Sequence, residues 1–84
     1  MTEQEILNTF REILGDLLGS DSLALTMQTR RTDVPGWDSF NYVNFIVAVE
    51  MRFKLKFRVA EVESFEDVGA IVRRTHELLE NRAS

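Results

Sequence analysis

The sequence predicts an all-α fold, a small antiparallel four-helix bundle with three main helices and a short third one. Three observations point there. Apolar residues recur at helical spacing in three long segments. Capping residues stand at the starts of those segments. The one alternating stretch, FKLKFRV, has no second strand to pair with and reads as an extended connection. With 84 residues, 44% of them hydrophobic, residues 1–84 form a single domain around one small core, too apolar for a disordered segment.

The first helix covers about residues 3 to 18. Thr2 and Glu5 are spaced as a capping box, and Ile6, Leu7, Phe10, Ile13, Leu14, Leu17 and Leu18 form the apolar face. Gly19 is the expected stop. From Ser20 to Asp38 the chain is polar and irregular, a long connection for so small a domain. Leu23, Leu25 and Met27 are its fasteners across the core, and Val34, ahead of Pro35, should be extended. The second helix starts after Asp38, whose carboxylate can accept backbone N–H bonds from the first turn, and runs to about Arg52 or Lys54. Val59 to Glu63 form a short helical turn. Ser64 is the expected N-cap of the last helix, with Asp67 completing an S-x-x-D box, and Val68, Ile71, Val72, Thr75, Leu78 and Leu79 give its apolar face. The tail NRAS should be frayed.

Composition removes several function classes. Lys and Arg total 10 against 14 Asp and Glu, a net charge of −4 that argues against a nucleic-acid partner. There is no cysteine and a single histidine, His76, so disulfides, thiolate metal sites and His-rich metal sites are excluded. MTEQEILNTF has no signal-peptide apolar core, and no apolar run approaches a membrane span. The expected setting is the cytoplasm, with no membrane partner.

The second helix carries two apolar stripes. Phe45, Ile46, Val49 and Phe53 suit the core, with Phe10 and Leu14 opposite them. Phe40, Val43 and Val47 lie on another part of the circumference. One helix of so small a domain is not expected to bury both, so the second stripe reads as a docking face or as packing under the loop. Beside it, PGWDSFN places Ser39 at the first helical position. A catalytic serine needs a base in reach, and His76, at a solvated or boundary position of the last helix, is the sole histidine. No G-x-S-x-G elbow surrounds the serine, so catalysis is not expected. Trp37 reads as a loop anchor over the core.

DSFNYVNFIVAVEMRF resembles the D-S-L motif and following helix of acyl carrier proteins, the phosphopantetheine-carrying domains. The likeness extends over nearly the whole chain, through F-x-L-x-F after the second helix to SFEDV at the last. It implies a carrier, not an enzyme. Ser39 would bear 4′-phosphopantetheine, taken from coenzyme A, through a phosphodiester, and Asp38 is the motif residue before it. An anion there would meet the free N–H groups of the helix start. Acyl groups would ride on the arm as thioesters in fatty acid, polyketide or related biosynthesis. The implied partners are a phosphopantetheinyl transferase and acyl-loading and acyl-processing enzymes, met by a free-standing monomer. Alternatives are an aminoacyl or peptidyl carrier, or a helical interaction module with no prosthetic group. A DNA-binding helical domain is more distant.

The chain departs from the family pattern in ways that bear on docking. Phe40 replaces the usual leucine, and Asn41 and Asn44 stand where many members carry acids. From Ser39 to Arg58 the only acid is Glu50, whereas Arg52, Lys54, Lys56 and Arg58 are basic. Phe40, Val43 and Val47 with Arg52 and Lys54 are therefore the candidate partner-binding residues, the charges setting orientation and encounter rate if they are more than a solvated face.

Overall fold

The computed structural model describes residues 1–83 and is helical throughout its regular elements. α1 spans Glu3–Leu18, α2 Ser39–Phe53, α3 Val59–Ser64 and α4 Val68–Ala83, with a 3₁₀ turn at Arg31–Asp33 in the long loop. No strand occurs among the described residues; of FKLKFRV, Phe53 ends α2, Lys54 turns the corner, residues 55–58 form the link and Val59 opens α3. The particle measures 38 × 25 × 22 Å.

The caps explain the boundaries. Thr2 accepts the Glu5 N–H and Glu5 accepts the Thr2 N–H, closing the box that starts α1. The Thr2 N–H bond is the main cause that holds the Glu5 carboxyl below its ordinary range. Gly19, left-handed at φ 67°, ends that helix. Asp38, in the β region, receives the Asn41 N–H at 2.9 Å and starts α2. α2 ends on Lys54, left-handed at φ 56° without being glycine. That conformation costs a side-chain-bearing residue about 1 kcal/mol. Arg82 of α4 holds the strained corner, donating to the carbonyls of Phe53 (2.9 Å) and Lys54 (2.6 Å).

The start of α4 corrects one expectation. Ser64 is the last residue of α3 and its hydroxyl donates back to the Glu61 carbonyl, so it does not cap α4. Asp67 does, accepting the Ala70 N–H at 2.9 Å. The two preceding amides are taken by the long loop: Val68 N–H bonds to Thr29 O and Gly69 N–H to Met27 O, both at 2.8 Å. A Cβ on Gly69 would stand 2.6 Å from that Met27 carbonyl, so only glycine permits the approach.

α1 packs on α2 and on α4, and the core lies between them. Phe10 is fully buried, with Phe45 edge-on at 5.3 Å and Phe53 at 6.0 Å. Phe45 in turn meets Trp37 at 5.2 Å. This row of rings runs from the end of α2 to the loop ahead of Ser39 and anchors both. Among the described residues the buried Trp37 indole N–H has no acceptor, so the side chain is held by ring packing while the backbone N–H donates to the Val34 carbonyl at 3.1 Å. Leu25 is buried and Leu23 and Met27 pack against the core, as expected of the loop fasteners. Leu17 departs from its expected place: it is exposed at the edge of α1, and Leu18 is the inward neighbour. Val68, Ile71, Val72 and Thr75 are buried on α4, and the Thr75 hydroxyl is satisfied by the Ile71 carbonyl.

α3 is too short to hold itself. Glu61 accepts the Arg58 N–H and faces Arg74 of α4 at 2.6 Å. The Arg58 bond is the main cause that keeps the Glu61 carboxyl below its ordinary range, and the Arg74 charge adds to it. Tyr42 of α2 donates its phenol to the Val62 carbonyl at 2.6 Å. α3 is thus tied to both long helices that flank it.

Candidate functional site

Ser39 is exposed at the first position of α2, one residue after its cap. The loop before it is held to the helix by Asn41, whose amide donates to the Gly36 carbonyl at 2.9 Å. Among the described residues, the Ser39 hydroxyl has one hydrogen-bond partner, Arg31, whose Nη1 donates to Oγ at 3.0 Å. Arg31 lies over the Tyr42 ring, 5.6 Å from its centre. Burial raises the Tyr42 phenol above its ordinary value, and the Arg31 charge offsets part of that. His76 is on α4, its Nε2 3.6 Å from Glu80. Among the described residues the serine hydroxyl is therefore hydrogen-bonded to a cation and to no base, an arrangement suited to holding a charge and not to activating a nucleophile.

Ser39, Arg31 and Tyr42 form part of the wall of a cleft of about 700 Å³ between α2, α3 and the start of α4. Ile46, Phe57, Val62, Phe65, Val68 and Ile71 make its apolar lining. Phe57 and Phe65 meet edge-on at 5.5 Å across it. The alternation in FKLKFRV leaves Phe53 and Phe57 buried, Leu55 half-buried, and Lys54 and Lys56 exposed, and of these Lys56 and Phe57 line the cleft. Glu50 shares the wall and accepts the Phe57 N–H at 2.8 Å, pinning the extended link to α2. No cluster of three or more metal-ligating side chains occurs among the described residues.

The outer stripe of α2 is solvent-facing. Phe40 is 73% exposed, Val43 56% and Val47 46%. Met51, one turn beyond Val47, extends it at 75% exposure, and Val59 at the head of α3 is as open. The basic residues do not gather there. Arg52 turns toward α1, where Nη2 lies 3.8 Å from Glu12, both side chains exposed. Lys54 is exposed at the corner after α2, Lys56 joins the cleft wall, and Arg58 precedes α3. Sequence reasoning singled out Asp38, Ser39 and the stripe of Phe40, Val43 and Val47; it noted Met51 only as standing in place of an acid and did not single out Tyr42 or Arg31, which the structure sets beside Ser39. Met51 was readable as the i+4 continuation of Val47. Tyr42 falls at i+3 from Ser39 on the same helix. Arg31 carried no signal, because an aperiodic loop does not reveal where its side chains land.

No protein-family model matches the chain. It is 30% identical to an acyl carrier protein of Thermotoga maritima over 71 residues, covering 84% of this chain and 88% of that one. Against an acyl carrier protein of Clostridium acetobutylicum it is 30% identical over 67 residues, covering 80% and 87%. The solution structure of a holo acyl carrier protein from Geobacter metallireducens matches the fold with TM-score 0.84 at 28% identity, over 92% of this chain and 88% of that one. Each likeness covers at least 80% of this chain, and the chain belongs to the acyl carrier protein family.

Proposed function

We propose that this protein holds acyl groups as thioesters on a 4′-phosphopantetheine arm joined to Ser39 and presents them to separate enzymes. One observation carries the reading: an exposed serine hydroxyl at the head of α2, on the wall of a 700 Å³ apolar cleft. The residues fit the group. Oγ is open to a modifying enzyme, Asp38 is engaged as a cap, and Arg31 supplies positive charge beside the oxygen. In attachment the Ser39 oxygen forms a new bond to phosphorus of coenzyme A. The pyrophosphate bond breaks, the adenosine bisphosphate half leaves, and the hydroxyl proton passes to the transferase. The arm supplies a terminal thiol, which this cysteine-free chain lacks. The apolar walls formed by Ile46, Phe57 and Val62 would shield the cargo's hydrocarbon from water between encounters.

The apolar part of the lining suits a fatty acyl or polyketide-like cargo, while Glu50, Glu63, Glu66 and Asp67 on the same wall leave an aminoacyl cargo as the second reading. The transferase and the acyl-loading and acyl-processing enzymes would dock on the exposed stripe of Phe40, Val43 and Val47, with Lys54 at its far end. Arg52, engaged with Glu12, is the weaker contributor. The carrier itself catalyses nothing in this scheme.

The decisive experiment is intact mass after incubation with coenzyme A and a broad-specificity phosphopantetheinyl transferase. The wild type gains one phosphopantetheinyl group, and Ser39→Ala folds and gains none. An unchanged mass with several such transferases would leave a helical interaction module as the better reading. A gain that survives in Ser39→Ala would move the site elsewhere.

A further inference from the structure

We propose that Arg31 is a positioning residue for the arm, its guanidinium serving as the built-in counter-ion of a phosphodiester on Ser39. The inference rests on the reading of Ser39 as the attachment site.

Arg31 is placed before any modification occurs. It opens the 3₁₀ turn 31–33, which is closed on both sides: Arg30 N–H donates to the Asp33 carboxylate and Asp33 N–H to the Arg30 carbonyl, each at 2.9 Å. The guanidinium is half-buried over Tyr42, and Tyr42 is itself fixed by its bond to Val62. Stacking of this kind restricts the side chain and leaves its edge N–H groups free to bond.

Its present partner does not match its charge. Arg52, Arg73 and Arg74 each face a carboxylate, whereas Arg11 and Arg82 each donate to two neutral acceptors. Among the described residues Arg31 has no carboxylate within ion-pair distance, only the neutral Ser39 hydroxyl at 3.0 Å. The nearby acids are engaged elsewhere: Asp38 holds the Asn41 N–H and Asp33 the Arg30 N–H. A phosphodiester would put an anion one bond beyond the oxygen that Arg31 already contacts. The bond from a cation to a neutral hydroxyl would become an ion pair between guanidinium and phosphodiester, and the planar fork could engage a non-bridging oxygen as well. The chain's net charge of −4 makes such a local cation more useful, since modification adds one more negative charge. Seated in this way, the root of the arm would leave Ser39 along the Tyr42 side, which is the side of the cleft.

The test compares unmodified and fully modified protein, each as wild type, Arg31→Ala and Arg31→Lys, with completeness of modification checked by intact mass. Arg31→Ala should lower Tm by about 4 °C more in the modified form than in the unmodified one, a shift within the range for a domain of this size. Molar salt should shrink the difference, and Arg31→Lys should lie between. In the wild type, the ¹⁵N–¹H signal of the Arg31 Nε should shift and exchange more slowly once Ser39 is modified. Equal Tm losses in both forms, with an unmoved Nε signal, would mean that Arg31 merely packs on Tyr42 and would overturn the proposal. Should Arg31→Ala not fold, Arg31→Lys and the wild-type Nε signal decide in the same way. A failure of the Ser39 reading shows separately, as no mass gain in any form, and takes this proposal with it.

Discussion

The two faces of α2 have similar amino acids and opposite fates. Phe45, Ile46, Val49 and Phe53 are all at most 6% exposed, whereas Phe40, Val43, Val47 and Met51 are all at least 46% exposed. Hydrophobicity of the side chain does not distinguish them; position around the helix does. The inner face is held by ring contacts with Phe10 and Trp37 and so sets the fold. The outer face faces water and leaves its apolar area for another molecule to cover. Stability and recognition can therefore be altered separately in one helix of 15 residues.

The largest expected effect lies on the inner face. Phe53→Ala should cost about 3–5 kcal/mol, a typical loss for a buried aromatic, and so small a domain has little stability to spare. Thermal and urea melts measure it. A loss below about 1 kcal/mol would mean that the inner row of rings is not what holds α2 to α1. Gly69→Ala should follow, at about 1–3 kcal/mol, because its Cβ meets backbone that cannot rotate away. Unchanged melts would show that the loop can withdraw from α4 without loss.

Tyr42 sits between the two faces and should show an intermediate effect. Tyr42→Phe removes the bond to Val62 and should cost about 1 kcal/mol. Burial raises the phenol's folded pKa above its unfolded one. Its contribution is then complete below the unfolded value of about 10 and is lost as pH rises through the folded value. Wild type should lose stability in that alkaline window and Tyr42→Phe should not; parallel pH curves would remove Tyr42 as the tie between α2 and α3. The smallest stability effect belongs to the outer face. Val43→Ala and Met51→Ala should each change stability by no more than about 0.5 kcal/mol. Each should nonetheless slow modification by a transferase by about fivefold, the scale of a contact worth 1 kcal/mol. Val43→Ala as damaging to the melt as Phe53→Ala would place the outer stripe in the core and remove the docking face.

Sequence resolved these features unevenly, for physical reasons. The starts of α1 and α2 were legible because Thr2 with Glu5, and Asp38, satisfy backbone groups within three residues. The two stripes of α2 were legible because helical period alone separates them. The start of α4 was misplaced by three residues: Ser64 and Asp67 are both capping types. The choice between them is made by carbonyls of Met27 and Thr29, some 40 residues away in sequence. Arg52 was grouped with Lys54, Lys56 and Arg58 because they are neighbours in sequence, but on the helix it points toward Glu12 of α1. The curated relatives and the fold match to a holo acyl carrier protein bore out the family resemblance. Nothing in the loop's composition announced that Arg31 would reach Ser39.

The two loop carbonyls that meet the first amides of α4 also make a mechanical coupling. Thr29 is bonded to Val68, and the turn carrying Arg31 begins two residues later, so that turn is referenced to α4. Ser39 belongs to α2. The cleft lies between those same two helices and α3. The 3.0 Å contact between Arg31 and Ser39 therefore joins a turn bonded to α4 with the head of α2, so the attachment site is tied to both long walls of the cleft and not to its own helix alone.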